Sequence, residues 1–564
     1  MLKRNSKKYC TMLLVFSITL ANVFHLTPVF AADAITVDCG STLRGVTHCA
    51  SGSLYGMTEK KPADVAGLIT PTHPYVMRNP ARGGSGNQHP FGAAIPVAGR
   101  LSSVPGAKVS VDLADMLPGW PYTWPGMTSW LSQVNSFITD MKASGYSNYY
   151  GIEPWNEPDG TWNSSNGDFN STLWKQTYSA IRTNASGYKI VGPCYSYYNH
   201  NRMSTFLSYC KSNNCIPDII SWHELSGIGS VANNLKDYRA LETSLGISAL
   251  PISINEYCDA DHNLEGQPGS LGEFIGKFER YKVDSACITW WFTAYQRLGS
   301  LLATDTAKGA GWYFMNWYGS MTGNMVNVSV PNDASANIDG AACVDLGAKY
   351  ISCVLGGSNS GTVNTTIKNI PSFIGSTASV RVEKVDWTSK DTVCRGTTTV
   401  STSNYTVSNG QITVAMTGCN ASSGYRIYIT PASGSSSSTS YEAENGTLSN
   451  GANIQSVNAC SGGKCVGYLG GTGTTNGTVV INNVNVATAG THSMTIYYVS
   501  SDTRIIYVTP NSGTFSGVPC TGTGDWTSVA SVTTNVNLNA GNNIIKLDNG
   551  SATYAPDIDR IVID

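Results

Sequence analysis

Gly151–Gly160 reads GIEPWNEPDG. An extended run, Asn148–Ile152, leads into Trp155, Asn156, Glu157 and Pro158. Around it, between residues 44 and 320, short apolar runs alternate with helical patterns. Thr128–Ala143 is the clearest helix: Trp130, Leu131, Val134, Phe137, Ile138 and Met141 share a face, Thr128 can cap the start, and Gly145 lies just past the end. Leu235, Tyr238, Leu241 and Leu245 mark a second helix, and Leu271, Phe274, Ile275 and Phe278 a third. Strand-like runs end near Cys49, Arg78, Asp112, Trp155, Cys194, His223, Glu256 and Trp291. Eight strands alternating with helices is the arithmetic of a (β/α)8 barrel, although other α/β folds share the period.

In such a barrel the C-terminal strand ends build the site, so Glu157 projects into the mouth. The run Pro251–Cys258, PISINEYC, places Glu256 at the end of the seventh strand, again after an asparagine, Asn255. Two carboxylates from different strands suit glycoside hydrolysis: one donates a proton to the leaving oxygen, and the other attacks or supports an oxocarbenium-like centre. Burial beside a second negative charge raises the pKa of one and separates the roles. The bland alternative for each is an ion pair or a helix cap, and Glu153 and Asp159 show that acidic neighbours are plentiful. Strand-end position also nominates Arg78 to orient the nucleophile and His223 to bond Glu157 or substrate. Trp290, ahead of Trp291, is nominated as a stacking face for a sugar. Trp120, Tyr122 and Trp124 form either a subsite wall or loop packing.

From about residue 321 the helical period vanishes. Val380–Trp387, Tyr405–Val407, Ile412–Met416 and Arg426–Thr430 read as strands, and Asn409–Gly410 as a hairpin turn. The expected organisation is a leader over 1–31, a barrel over 32–320, a β-sandwich over 321–431 to which Ile35–Cys39 can add a strand, a serine-rich linker over 432–440, and an all-β module over 441–564.

The leader has a basic start (Lys3, Arg4, Lys7, Lys8), a mostly apolar stretch from Met12 to Phe24, and small residues at Val29 and Ala31, the pattern of a cleaved export signal. The expected product is secreted, extracellular, monomeric and free of the membrane. Of 15 cysteines, Cys10 lies in the leader, and the even remainder suits disulfides. Cys39/Cys49, Cys210/Cys215, Cys343/Cys353 and Cys460/Cys465 are plausible local pairs, with connectivity open. Only 13% of residues are charged and the net charge is −2, which gives no field for gathering nucleic acid.

The WNEP ending the fourth strand and the glutamate ending the seventh resemble the superfamily of retaining (β/α)8 glycosidases. That resemblance implies Glu157 as acid/base, Glu256 as nucleophile, Asn156 as a partner of the sugar 2-hydroxyl, and no catalytic cofactor. With the trailing sandwich and Ser221-Trp222-His223 on the sixth strand, the chain most resembles glycoside hydrolase family 39. This implies a plant cell-wall polysaccharide or oligosaccharide as partner, with xylosidase-like or arabinose-related activity. The C-terminal region, opening YEAENGTL (Tyr441–Leu448) and closing APDIDRIVI (Ala555–Ile563), resembles carbohydrate-binding modules of families 35 and 6. The likeness implies a structural Ca2+ on Glu442, Glu444 and Asp559. Tyr468, Trp526 and Asp557 are the candidates for binding sugar. The competing expectations are a non-catalytic secreted carbohydrate-binding protein and an endo-acting glycanase of families 5, 30 or 51.

Overall fold

The computed structural model describes residues 32–87, 89–289, 296–432, 439–471, 474–486, 489–550 and 553–563. The leader, Trp290, Trp291 and most of the serine-rich linker lie outside the described residues. The chain divides into two compact units, Met1–Thr430 and Pro431–Asp564.

In the first unit, β1 (Asp33–Gly45) precedes eight barrel strands: β2 (Gly52–Leu54), β3 (Val76–Pro80), β4 (Lys108–Asp112), β5 (Tyr149–Glu153), β6 (Val191–Tyr195), β7 (Ile219–Glu224), β8 (Ile252–Tyr257) and β9 (Ser285–Ile288). Their order is β5-β4-β3-β2-β9-β8-β7-β6, and a parallel bridge between Ile152 and Ile190 brings the two ends together. The neighbouring strands of the sheet run parallel. β3, β5, β6, β7 and β8 are buried along their whole length, as parallel strands covered on both faces must be. The first strand begins later than the run ending at Cys49. His48 takes a left-handed backbone (φ 54°), and the Ser51 amide closes a turn on the His48 carbonyl (3.0 Å), which interrupts the extended run. At Gly52 a Cβ would stand 2.4 Å from the Ala286 carbonyl oxygen, so a side chain there would push β2 away from β9.

The helices are α1 (Ala94–Leu101), α2 (Met127–Ala143), α3 (Pro158–Thr161), α4 (Lys175–Asn184), α5 (His200–Ser212), α6 (Val231–Ser244), α7 (Pro268–Arg280) and α8 (Ala310–Gly319). α2 buries Trp130, Val134, Phe137, Ile138 and Met141, while Leu131 is only partly covered. Its cap is Gly126 without a side-chain hydrogen bond, which corrects the expected role of Thr128.

After α8 come β10 (Asn324–Ser329), β11 (Asp339–Asp345), β12 (Tyr350–Gly356), β13 (Thr362–Lys368), β14 (Thr377–Val385), β15 (Thr398–Thr406), β16 (Ile412–Thr417) and β17 (Gly424–Pro431). With β1 inserted between β10 and β13 they form one nine-stranded sheet, whose apolar faces share a core that includes Ile35, Val37, Val380, Val414 and Ile427. Asn409 and Gly410 both take positive φ (52° and 70°), as a tight two-residue turn requires. The strands it joins do not pair: β15 pairs with β14, and β16 with β13. The turn therefore sends the chain from one edge of the sheet to the other. α7 docks on this sheet through Lys277 and Arg280, whose side chains reach Asp339 at 2.9 and 2.6 Å.

The second unit is two antiparallel sheets over its own core, from Ala443 to Ile563. Its elements that bear on function are β18 (Thr439–Glu442), followed across the unit by β19 (Thr447–Ser449), β20 (Asn453–Ser456) and β21 (Lys464–Gly467), and the last strand Asp557–Ile563, which pairs with both β18 and β21.

The fourteen cysteines of the described residues are free thiols. Cys39 and Cys49 sit in different cores, as do Cys343 and Cys353. Cys343 stands opposite Ser352 and Cys353 opposite Ala342, and successive residues of a strand face opposite sides, so the Cys343 and Cys353 side chains leave the sheet on different faces. Among the described residues no helix is long and apolar enough to cross a membrane.

Candidate active site

The C-terminal ends of β3, β4, β5, β7 and β8 converge on Arg78. Its guanidinium donates from Nε to Glu153 Oε2 (2.7 Å), from Nη1 to Glu256 Oε1 (2.6 Å), and from Nη2 to Asp112 Oδ2 (2.7 Å) and Asn156 Oδ1 (2.9 Å). Arg78, Asp112 and Glu153 are fully buried, and so many buried carboxylates hold the guanidinium charged, well above its ordinary pKa. Arg78 thus fixes the directions of Asp112, Glu153 and Glu256 from a buried position. Glu153, at first sight one acid among several, accepts from Arg78, Ser110 (2.6 Å) and Asn255 (3.0 Å). Only its place as the last residue of β5 hinted at this.

Glu157 follows β5 in a left-handed backbone (φ 47°) and opens α3. A non-glycine residue pays for that conformation, and its amide donates to the Cys194 carbonyl at 2.9 Å. Its carboxylate meets His223: Nδ1 lies 3.0 Å from Glu157 Oε1 and 3.6 Å from Glu256 Oε2. Glu157, His223 and Glu256 each offer an atom within 4.8 Å of the others. The side chain of Glu157 is 16% exposed, while that of His223 is fully covered. Of the three, Glu157 is the one open to the barrel mouth, while His223 reaches both carboxylates from beneath.

Burial pushes the Glu256 carboxyl up to about 7, with His223 and Arg78 pulling it down and the Glu157 charge pushing it further up. The same carboxylates raise His223 against its desolvation. Asn156 spends its oxygen on Arg78 and an N–H on the Tyr122 hydroxyl (3.2 Å), leaving one N–H uncommitted. Tyr122 in turn donates to Asp115 (2.6 Å), which also accepts from Tyr55. Tyr122 and Trp124 are packed, whereas Trp120 is half exposed. Trp290 lies outside the described residues.

In the second unit the structure gathers Tyr468, Trp526 and Asp557 around one cavity of about 400 Å³, together with Gln455, Arg504 and Tyr554. Arg504 lies 4.6 Å over the Trp526 ring. Burial lifts the Asp557 carboxyl to about 6, against the pull of Arg504. Arg504 and Tyr554 were invisible to sequence because they come from separate strands and loops. Nearby, Asp559 accepts from the Ser461 amide (2.8 Å) and Glu442 from the Ser461 hydroxyl (3.0 Å). Glu442 Oε2 and Glu444 Oε2 are buried without a hydrogen-bond partner. Unpartnered carboxylate oxygens suit a hard cation such as Ca2+, but among the described residues these three acids do not bring one ligand atom each within 4.8 Å of one another, and Asp559 is paired with Arg560.

A (β/α)8 barrel with two glutamates facing one another at its mouth defines a class, the barrel glycosidases, and the comparisons agree. Residues 120–293 match the glycosyl hydrolase catalytic core family. The chain is 57% identical to N2152 from Neocallimastix frontalis, over 71% of this chain and all of that one, with a TM-score of 0.70. It belongs to the same family as that protein. A 3-O-beta-L-arabinopyranosyl-alpha-L-arabinofuranosidase from Bifidobacterium pseudocatenulatum is 26% identical over 71% of this chain and 48% of its own length. A 3-O-alpha-D-galactosyl-alpha-L-arabinofuranosidase from Bifidobacterium longum subsp. longum is 27% identical over 74% and 43%. The chain thus spans less than half the length of these curated relatives. A family 35 carbohydrate binding module from Clostridium thermocellum is 37% identical over 22% of this chain and 97% of its own, with a TM-score of 0.21.

Proposed function

We propose that this chain is a secreted, retaining glycosidase of family 39 type that opens α-L-arabinofuranosidic bonds of a plant polysaccharide, with Glu256 as nucleophile and Glu157 as acid/base. The observation that carries the reading is the close approach of the two carboxylates. Each brings one carboxylate oxygen within 4.8 Å of the other, a close approach that supports the short carboxyl spacing of double displacement (roughly 5–5.5 Å) over the wider one of single displacement (roughly 6.5–9.5 Å). The sugar is suggested by the two curated relatives, whose names share the arabinofuranoside bond and differ in the group on O3.

Glu256 Oε1 is held by Arg78 (2.6 Å), which leaves Oε2 to attack the anomeric carbon. The C–O bond to the leaving group breaks as Glu157 gives its proton to the departing oxygen. The resulting ester on Glu256 is neutral, so His223 is then left with Glu157 as its one charged partner in the pair. Glu157 takes a proton from water, whose oxygen displaces Glu256 and restores both carboxyl groups. Charge develops at the sugar between a fixed guanidinium layer and two carboxylates, so no large reorganisation is needed. The second unit, with its aromatic cavity, tethers the enzyme to polymer and raises the local substrate concentration.

The test is hydrolysis of a panel of aryl glycosides, with the anomer of the first product followed by NMR. Turnover of the α-L-arabinofuranoside with retention supports the reading. Inversion, or turnover confined to other glycosides, overturns it.

A further inference from the structure

We propose that Trp120 builds a second sugar subsite, which stacks against a further sugar carried by the unit under attack; this rests on the glycosidase reading above. The loop after β4 opens at the same barrel end as Glu157 and Glu256. The aromatic residues of this loop and its neighbours divide sharply. Tyr122 is 6% exposed and Trp155 is 1% exposed. Trp124 packs edge-on against Trp155 and Trp162, with ring centres 5.7 and 4.9 Å apart, and Trp130 is fully buried. These rings are a core cluster. Trp120 joins them only by an edge contact with Tyr122 (5.3 Å, 77°) and keeps half its surface in water (50% exposed).

A single exposed aromatic is common on protein surfaces, so exposure is not the argument. The argument is what Trp120 rests on. The Tyr122 hydroxyl lies 3.2 Å from Asn156 Nδ2 and 2.6 Å from Asp115, and Asn156 immediately precedes Glu157 and is bonded to Arg78. The chain of contacts runs from an open indole face, through one ring, to the amide beside the reacting groups. An indole face offers apolar area and a polarisable surface to the C–H face of a pyranose or furanose ring. With Asn156 bonded to the 2-hydroxyl of the attacked sugar, the role its place before Glu157 implies, the ring over Trp120 belongs to a substituent on that sugar. The ligand class is thus a neutral disaccharide unit, of which the attacked sugar is only the inner half.

The experiment compares Trp120→Ala and Trp120→Phe with wild type on two aryl glycosides, one bearing a single arabinofuranosyl unit and one bearing that unit with a further sugar attached. Trp120→Ala is expected to lower kcat/KM at least ten-fold on the disaccharide and less than three-fold on the monosaccharide, with Trp120→Phe between. Leu346→Ala, an exposed apolar residue in the turn between β11 and β12, controls for loss of exposed apolar surface. Equal losses on both substrates, or none on either, overturn the subsite. If wild type hydrolyses neither substrate, the glycosidase reading fails. Calorimetric affinity of Glu157→Gln for the same disaccharide, with and without Trp120→Ala, then decides the subsite alone: a ten-fold weakening supports it and unchanged affinity overturns it.

Discussion

Arg78→Lys tests how the nucleophile is kept ionised. The guanidinium makes four hydrogen bonds in fixed directions to Asp112, Glu153, Glu256 and Asn156. A lysine ammonium has three donors at one point and cannot reproduce that fork. A unit charge near a carboxylate contributes about 4 kcal/mol at 4 Å and an effective dielectric of 20, or about three pKa units at 1.36 kcal/mol each. Lysine keeps the charge but shares it among acceptors it can no longer reach together, so roughly a third of that support is lost. Glu256, already lifted to about 7 by burial, then moves up by about one unit. The sign follows from its role: only the ionised form attacks, so activity falls as pH drops through this value. The kcat/KM profile on an activated aryl arabinofuranoside should show an acid limb near pH 7 in wild type, displaced upward by about one unit in Arg78→Lys. The deficit of the variant should be about ten-fold larger at pH 6 than at pH 9. Lost charged hydrogen bonds should also cost about 1.5–3 kcal/mol of stability each, read as a lower Tm of the first unit. A variant that folds, yet keeps its acid limb where wild type has it, would refute the view that Arg78 holds Glu256 ionised.

Two further outcomes are expected. Glu157→Gln should slow release of poor leaving groups about 10²- to 10⁴-fold while sparing aryl glycosides with acidic leaving groups; equal loss on both would remove it from the acid role. Glu256→Ala should abolish turnover and recover with azide to give the inverted glycosyl azide, and a folded variant that azide does not rescue would count against the nucleophile.

Much of the barrel was legible because its strands are short, fully buried apolar runs at a regular interval, and because α2, α6 and α7 carry one apolar face each. The boundaries that failed did so for local reasons. A turn at His48 cut the first run, and Gly126 replaced Thr128 at a cap through backbone geometry that residue type does not encode. The two glutamates were legible from strand-end position. Glu153 was not, since a buried acid at a strand end looks like any other until its partners Arg78, Ser110 and Asn255 arrive from three other strands. The Asn409–Gly410 turn was read correctly as a hairpin turn, since Ser408 and Gln411 exchange both backbone hydrogen bonds across it (3.1 and 3.0 Å); what two residues do not encode is that the pairing stops there, with β15 continuing on β14 and β16 on β13. Distance along the chain hid Arg504 and Tyr554 from the sugar cavity.

The charge count beneath the mouth explains why Arg78 can serve Glu256 at all. One guanidinium lies against Asp112, Glu153 and Glu256, with Asp115 and Glu157 a contact further on. Ionising every one of these buried acids would leave several negative charges facing a single positive one, at a cost that buried pairs do not recover. Asp112 is fully buried, and desolvation and the neighbouring Asp115 charge push its pKa above the usual carboxylate range, against the pull of Arg78. It accepts from Arg78 through one oxygen and from the Ala114 amide (2.9 Å) through the other, so it fixes the guanidinium in place. Asp115 is meanwhile held by hydroxyls from Tyr55 and Tyr122. An asparagine at 112 keeps an oxygen that can accept from Arg78, and the guanidinium keeps its bond to Glu256. An Asp112→Asn variant should therefore disturb the pH profile of Glu256 less than Arg78→Lys does.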